Sequence, residues 1–223
     1  MTPVSASHRH PLFARLYARA CPLLDRRLAA YRRALLDGLS GRVIEIGVGT
    51  GANFTHYPHQ VEAVLAVEPE PYLRRLAQAA AARTPVPIDV TGGSADRLPA
   101  ADASCDAAVT CLVLCTVPDP AAALAEIARV LRPGGRLRFL EHVHAETPAR
   151  RRVQRVLDVT LWPRLSGGCH TGRDTAAAIE RAGFTIERLD RLGSGETGIP
   201  FPAAPQILGT ATVTSRSGRA GDE

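Results

Sequence analysis

The spacing of apolar residues changes character near residue 42. From Pro11 to Leu39, Phe13, Leu16, Tyr17, Ala20, Leu24, Leu28, Tyr31 and Leu35 recur every three or four positions, the mark of an amphipathic helix. Pro22 interrupts this stretch and predicts two helices, because it lacks the N–H that an interior turn needs. From Arg42 onward, short apolar runs alternate with helical stretches, the pattern of a parallel sheet wrapped by helices. The predicted strands are a first apolar run ending at Ile46, then Ala63–Val67, Val86–Val90, Cys105–Thr110, Leu137–Val143, Phe184–Leu189 and Ile207–Val213. Helices are predicted over Pro71–Arg83, where Pro71 suits a first turn, and over Arg173–Ala182. A further helical stripe runs through Ala121, Leu124, Ala125, Ala128 and Leu131 before Pro133-Gly134-Gly135 stops it.

This order predicts a single α/β domain, a Rossmann-like doubly wound sheet of seven strands spanning residues 41–213, preceded by a helical cap over 1–40. A chain of 223 residues suffices for one such core. The connection from His144 to Gly172 is unusually long, and loops of that length in compact domains tend to be functional. Within it, Arg150–Leu161 reads as an amphipathic helix with Val153, Val156, Leu157 and Leu161 facing inward, so 144–172 is expected to form a lid. Residues 214–223 are polar and expected to be disordered. The sequence contains no internal repeats.

Candidate chemistry concentrates where the first strand meets Glu45-Ile46-Gly47-Val48-Gly49-Thr50-Gly51. Glycines at alternate positions allow a tight turn and close approach of backbone to a ligand. A dinucleotide site would show G-x-G-x-x-G with a pyrophosphate at the following helix; here a carboxylate precedes the glycines instead. Glu45 suits a cationic, phosphate-free ligand end. Glu68, 17 residues after Gly51 at the tip of the second strand, suits two ribose hydroxyls. S-adenosylmethionine (SAM) has both ends and no pyrophosphate. Gly93-Ser94-Ala95-Asp96 after the third strand is placed to close over an adenine.

Composition narrows the options. All 27 basic residues are arginine, which excludes Schiff-base chemistry and a P-loop lysine. The net charge of +5 resides mainly in the first 40 residues, but with 4% aromatics and no interleaving of aromatic and basic positions it reads as a solvated helix face, not a nucleic-acid platform. Five cysteines without a C-x-x-C pair predict neither a disulfide framework nor a zinc site. No apolar run approaches the roughly 20 residues of a membrane helix, and no signal-type segment opens the chain. A cytoplasmic protein without an integral membrane segment is expected.

With Gly49-Thr50-Gly51-Ala52-Asn53-Phe54, Tyr57-Pro58, Leu112-Val113-Leu114-Cys115-Thr116-Val117, Leu131-Arg132-Pro133-Gly134-Gly135, Glu141-His142-Val143 and Gly168-Cys169, the chain resembles the class I SAM-dependent methyltransferases. Within them it is similar to the ubiquinone/menaquinone C-methyltransferases and, more specifically, to the methyltransferase-like thiol S-methyltransferases. The resemblance implies methyl transfer from SAM to a small-molecule acceptor, with small thiols as the acceptors of the nearer branch. Oxygen, carbon or nitrogen of a quinone-like or natural-product substrate, or SAM binding without turnover, are the alternatives. Relatives of that branch also carry a hydrophobic N-terminal membrane anchor, whereas residues 1–40 here are amphipathic and charged.

The expected cofactor residues are Tyr17, Glu45, Gly47, Gly49, Gly51, Asn53, Phe54, Glu68, Pro69, Ser94, Ala95, Asp96, Cys111, Leu112 and Val113. Many enzymes that methylate bases or protein amines carry an Asp/Asn-Pro-Pro-Tyr-type motif after the fourth strand. Cys111-Leu112-Val113-Leu114 stands there instead and favours a small acceptor. A thiol must lose its proton before it attacks, so His142, at the end of the fifth strand, is the first candidate base and His170 the second. His142 and His144 share a strand face, but with no third ligand in view no metal is expected.

Overall fold

The computed structural model describes residues 11–213; the predicted polar tail, 214–223, lies outside them. Seven strands form one mixed sheet in the order β3-β2-β1-β4-β5-β7-β6, with β1 (Gly41–Ile46), β2 (Val61–Val67), β3 (Ile88–Thr91), β4 (Cys105–Cys111), β5 (Leu131–His142), β6 (Phe184–Leu192) and β7 (Gln206–Val213). β1 to β5 are parallel, and β7 inserts antiparallel between β5 and β6. The chain order reverses between β1 and β4, and ligands of doubly wound sheets bind at the strand ends beside that reversal.

The helices are α1 (Pro11–Leu36), α2 (Pro71–Ala81), α3 (Pro120–Val130), α4 (Pro148–Val159), α5 (Trp162–Leu165), α6 (Thr175–Arg181) and α7 (Ser194–Thr197). α2 and α3 each begin with proline, and the carboxylates of Glu70 and Asp119 accept from their first free amides. Side chains alternate across the sheet. Val43, Val64, Ala107, Val109 and Leu140 pack with α1 and α2 on one face, while Ile44, Ile46, Ala108, Leu137 and Phe139 pack with α3 and α6 on the other.

Pro22 does not divide the N-terminal segment: α1 is one helix of 26 residues with Pro22 inside it. Pro22 is exposed, so water can reach the carbonyl one turn earlier that the missing N–H leaves free. The buried face is also shifted from the predicted stripe. Ala14, Cys21, Leu28 and Leu35 line it at intervals of seven, while Leu16 and Ala20 face solvent. Strand β5 starts six residues before the predicted Leu137, because Leu131 already pairs with Cys105 and an irregularity absorbs the Pro-Gly-Gly segment.

The 144–172 connection departs most from expectation. Val153, Val156 and Leu161, predicted to face inward, are 47%, 56% and 58% exposed, and Leu157 is half-buried. Gln154 is the buried anchor of α4. Its carbonyl accepts from the Ala145 amide (2.7 Å), and its amide donates to the carbonyls of Thr171 (3.1 Å), Pro202 (3.0 Å) and Val143 (3.3 Å). Tertiary hydrogen bonding overrides the apolar stripe because an unpartnered buried amide costs about 1–3 kcal/mol. Gln154→Leu is expected to lower stability by about that amount and to speed amide hydrogen exchange across 144–172 while the parallel strands stay protected; unchanged exchange would remove Gln154 as the anchor.

Candidate active site

Gly47, Gly49 and Gly51 follow β1 directly, all with positive φ. A Cβ on Gly47 would lie 2.7 Å from Val113, and one on Gly49 would lie 3.2 Å from the Tyr17 ring, so the turn is closely walled by the β4 loop and α1. Glu68 clamps it from β2: its carboxylate accepts from the amides of Gly49 (2.7 Å) and Glu70 (3.0 Å). Burial raises the Glu68 carboxyl to about 7, against the pull of those two amides. A carboxylate has about four lone-pair sites, so capacity for two further donors, such as ribose hydroxyls, is left.

Glu45 lies one layer behind. Its parity on β1 turns it toward α1, where the Asn53 amide (2.7 Å) and the Tyr57 hydroxyl (2.7 Å) each donate to one of its oxygens. Burial raises its pKa, opposed by those donors and by Arg32. The Arg32 guanidinium donates to Asn53 Oδ1 (2.8 Å) and Cys111 Sγ (3.3 Å) and pairs with Asp25 (3.2 Å). Arg32 is thus buried and structural, not part of the solvated basic face expected for the N-terminal helix. The Glu45, Asn53 and Phe54 side chains pack around the glycine turn; Phe54 is fully buried and a Cβ on Gly51 would lie 2.6 Å from its ring.

The other expected contacts surround the same end of the sheet. Pro69 follows Glu68, and Ser94, Ala95 and Asp96 form the turn after β3, with Asp96 exposed and Ala95 packed on the core. Cys111 ends β4. Leu112 adopts φ +61°, a conformation strained for a branched side chain, held by its amide bonding the Leu140 carbonyl (2.7 Å). Val113 backs Gly47. Glu141, part of the Glu141-His142-Val143 motif but given no role from the sequence, is fully buried at the end of β5, and its carboxylate accepts from the amides of Val113 (3.1 Å) and Cys115 (3.3 Å).

His142 stands beside it, and its Nδ1 lies 3.4 Å from both Cys115 Sγ and Cys169 Sγ. Burial disfavours its charged form, but Cys115 and Glu141 outweigh this and raise its pKa. Nδ1 therefore faces the two protein sulfurs. His170 is bound into the backbone: its amide donates to the Cys115 carbonyl (2.8 Å), and its Nδ1 meets the Gly168 carbonyl (2.8 Å). Phe13 reaches Gly167 from α1 and stacks on Tyr17 (5.7 Å between centroids), so α1 spans from the glycine turn to the 144–172 connection.

The glycine turn, Glu68 and the loops after β3, β4 and β5 thus lie at one end of the sheet. Residues 44–139 match the methyltransferase domain family. Thiol S-methyltransferase TMT1B of Mus musculus is 38% identical over 79% of this chain and 73% of its own, and TMT1B of Rattus norvegicus is 33% identical over 94% and 87%. TMT1A of Homo sapiens is 33% identical over 81% and 78%. Two solved structures share the fold: a possible histamine N-methyltransferase from Thermotoga maritima (TM-score 0.67, 23% identity, 91% and 97% of the two chains) and geranyl diphosphate methyltransferase in complex with SAM (0.68, 14%, 96% and 93%). The chain belongs to the class I SAM-dependent methyltransferases, in the same family as the TMT1 proteins, and its cofactor is SAM.

Because the folded Glu68 carboxyl holds its proton more tightly than an unfolded one, it stabilises the free protein at low pH, and that contribution fades as pH rises through about 7. Ribose hydroxyls, the ligand expected of Glu68, would donate to it and favour the carboxylate. SAM affinity is therefore expected to fall about tenfold per pH unit below 7, with proton release on binding near neutrality, and Glu68→Gln to flatten the profile; calorimetry in buffers of different ionisation enthalpy reads both. Arg32→Met, which leaves Asn53 Oδ1 without its donor, is expected to lower unfolding free energy by about 1.5–3 kcal/mol in chemical denaturation and to weaken SAM binding.

Proposed function

We propose that the methyl acceptor is a small thiol bound at the C-terminal ends of β4 and β5, beside Cys115, His142 and Cys169. The observation that carries this reading is the similarity, over most of the chain, to relatives named thiol S-methyltransferases. The local chemistry agrees: Cys111-Leu112-Val113-Leu114 offers no carboxamide or carboxylate to orient an amine, whereas two thiols and an imidazole make a polarisable lining suited to sulfur. The glycine turn and Glu68 hold SAM, and the Val113 wall and Tyr17 confine it. When bound, SAM supplies an electrophilic methyl group, so that thiol and SAM yield a methyl thioether, S-adenosylhomocysteine and a proton.

The chain's own contribution is position and exclusion of water, which supplies roughly 7–11 kcal/mol of barrier lowering in well-oriented reactions. Glu141 shapes the Val113–Cys115 backbone that borders the acceptor, and the His142 imidazole, its Nδ1 between the Cys115 and Cys169 sulfurs, lies beside the acceptor sulfur. Residues 144–172 and the first half of α1 act as the lid. The proposal includes a cytoplasmic location; no helix among the described residues is long and apolar enough to cross a membrane. S-adenosylhomocysteine release is expected with small alkyl thiols and not with phenols, quinols or amines of similar size. Release confined to a phenol, quinol or amine would overturn the thiol assignment, and SAM binding with no turnover would make the protein a SAM binder.

A further inference from the structure

We propose that Cys115, His142 and Cys169 form a zinc site whose fourth position takes the acceptor sulfur. The inference deepens the thiol reading and rests on it for the identity of that fourth ligand; the three protein ligands stand on geometry alone.

Tetrahedral zinc, with Zn–S about 2.3 Å and Zn–N about 2.0–2.1 Å, sets two sulfurs about 3.8 Å apart and a sulfur and a nitrogen about 3.6 Å apart. Here the sulfurs are 3.7 Å apart, and each lies 3.4 Å from His142 Nδ1. The three atoms thus already span one face of a coordination tetrahedron. No fourth histidine, cysteine, aspartate or glutamate among the described residues joins them. Three protein ligands with one open position is the pattern of catalytic rather than structural zinc, and soft thiolates with an imidazole select zinc over magnesium or calcium.

Each ligand comes from a different segment and is held in place by its own backbone contacts. The Cys115 amide is anchored by Glu141 (3.3 Å), and its carbonyl accepts from the His170 amide (2.8 Å), which joins the β4 loop to the Cys169 loop. Gly167 and Gly168, both with positive φ, turn the chain into Cys169, whose amide reaches the Ser166 carbonyl (3.3 Å). The His142 carbonyl accepts from the Thr175 hydroxyl (3.2 Å). Charge also balances: a divalent ion with two thiolates is neutral, which lowers the penalty of burying it.

An acceptor thiol entering the fourth position coordinates through sulfur and releases its proton to water, so the nucleophilic thiolate forms near neutral pH without a protein base. In this arrangement His142 is a ligand, and its imidazole stays neutral. The sequence could not show the site, because each cysteine lies 27 residues from His142 and no short ligand motif results.

Cobalt titration of the metal-free full-length protein, reduced with a phosphine, tests the site. One equivalent is expected to produce thiolate-to-cobalt charge-transfer bands and the intense visible bands of tetrahedral cobalt, displaced by zinc. Cys169→Ser and His142→Ala are expected to weaken zinc binding at least about 100-fold, beyond the 10–100-fold typical of losing an outer partner, while SAM binding by calorimetry confirms that each variant folds. Absence of the charge-transfer bands, or equal affinity in the variants, overturns the zinc site. A small alkyl thiol is expected to shift the visible bands of the cobalt form. Thiol turnover that is undiminished in the metal-free protein overturns zinc activation and leaves the thiol reading standing, whereas tight metal binding with turnover only on a phenol or amine overturns the thiol reading and leaves the metal ligands standing.

Discussion

The site depends on the buried polar chain that runs from Arg32 through Asn53 to Glu45 and Tyr57. A carboxylate and a guanidinium removed from water are costly unless partners take up most of their hydrogen-bonding capacity. Glu45 accepts from Asn53 and Tyr57, and the two terminal nitrogens of Arg32 reach Asp25, Asn53 and Cys111, while its Nε is buried without a partner. Because these partners lie on α1, β1, β4 and the segment after the glycine turn, the requirement locks all four in register. The N-terminal helix is therefore tied to the glycine turn and to the acid that opens its motif.

A second device recurs at the strand ends. Glu68 at the tip of β2 gathers the amides of Gly49 and Glu70, and Glu141 at the tip of β5 gathers those of Val113 and Cys115. In both places a buried carboxylate fixes loop backbone that would otherwise leave amides unsatisfied. One loop is the glycine turn after β1 and the other is the segment that follows β4. Both carboxylates sit on strands of the parallel part of one sheet, β2 and β5, with β1 and β4 between them, so the two loops are referred to a single rigid support.

The 144–172 connection is built differently. α4 is tied down by the four hydrogen bonds of Gln154, and Asp158 accepts from the amides of Thr171 and Gly172. Its valines, and Leu161 beyond it, remain outside. Polar anchoring of this kind orients Cys169 and His170 toward β4 and β5 without committing α4 to the apolar core, so the segment can differ in stability from the sheet beneath it.

The sheet, its helices and the glycine turn were legible in the sequence because they rest on local signals: period-two and period-3.6 patterning, glycine at positive φ, proline at helix starts, and an acid at the tip of β2. These are one-dimensional consequences of backbone sterics. What only the tertiary structure decided were the features created by burial between distant segments. Arg32 reads as one more surface arginine until its helix is laid against β1; Val153 and Val156 read as core until Gln154 claims the inner face; Pro22 reads as a break until packing on either side holds the helix through it. Cys115, His142 and Cys169 lie far apart along the chain and meet only because β4, β5 and the Gly167-Gly168 turn converge on one end of the sheet. Local propensity determines elements, but the environment that gives a titratable or sulfur-bearing side chain its chemistry is set by which other segments exclude water from it.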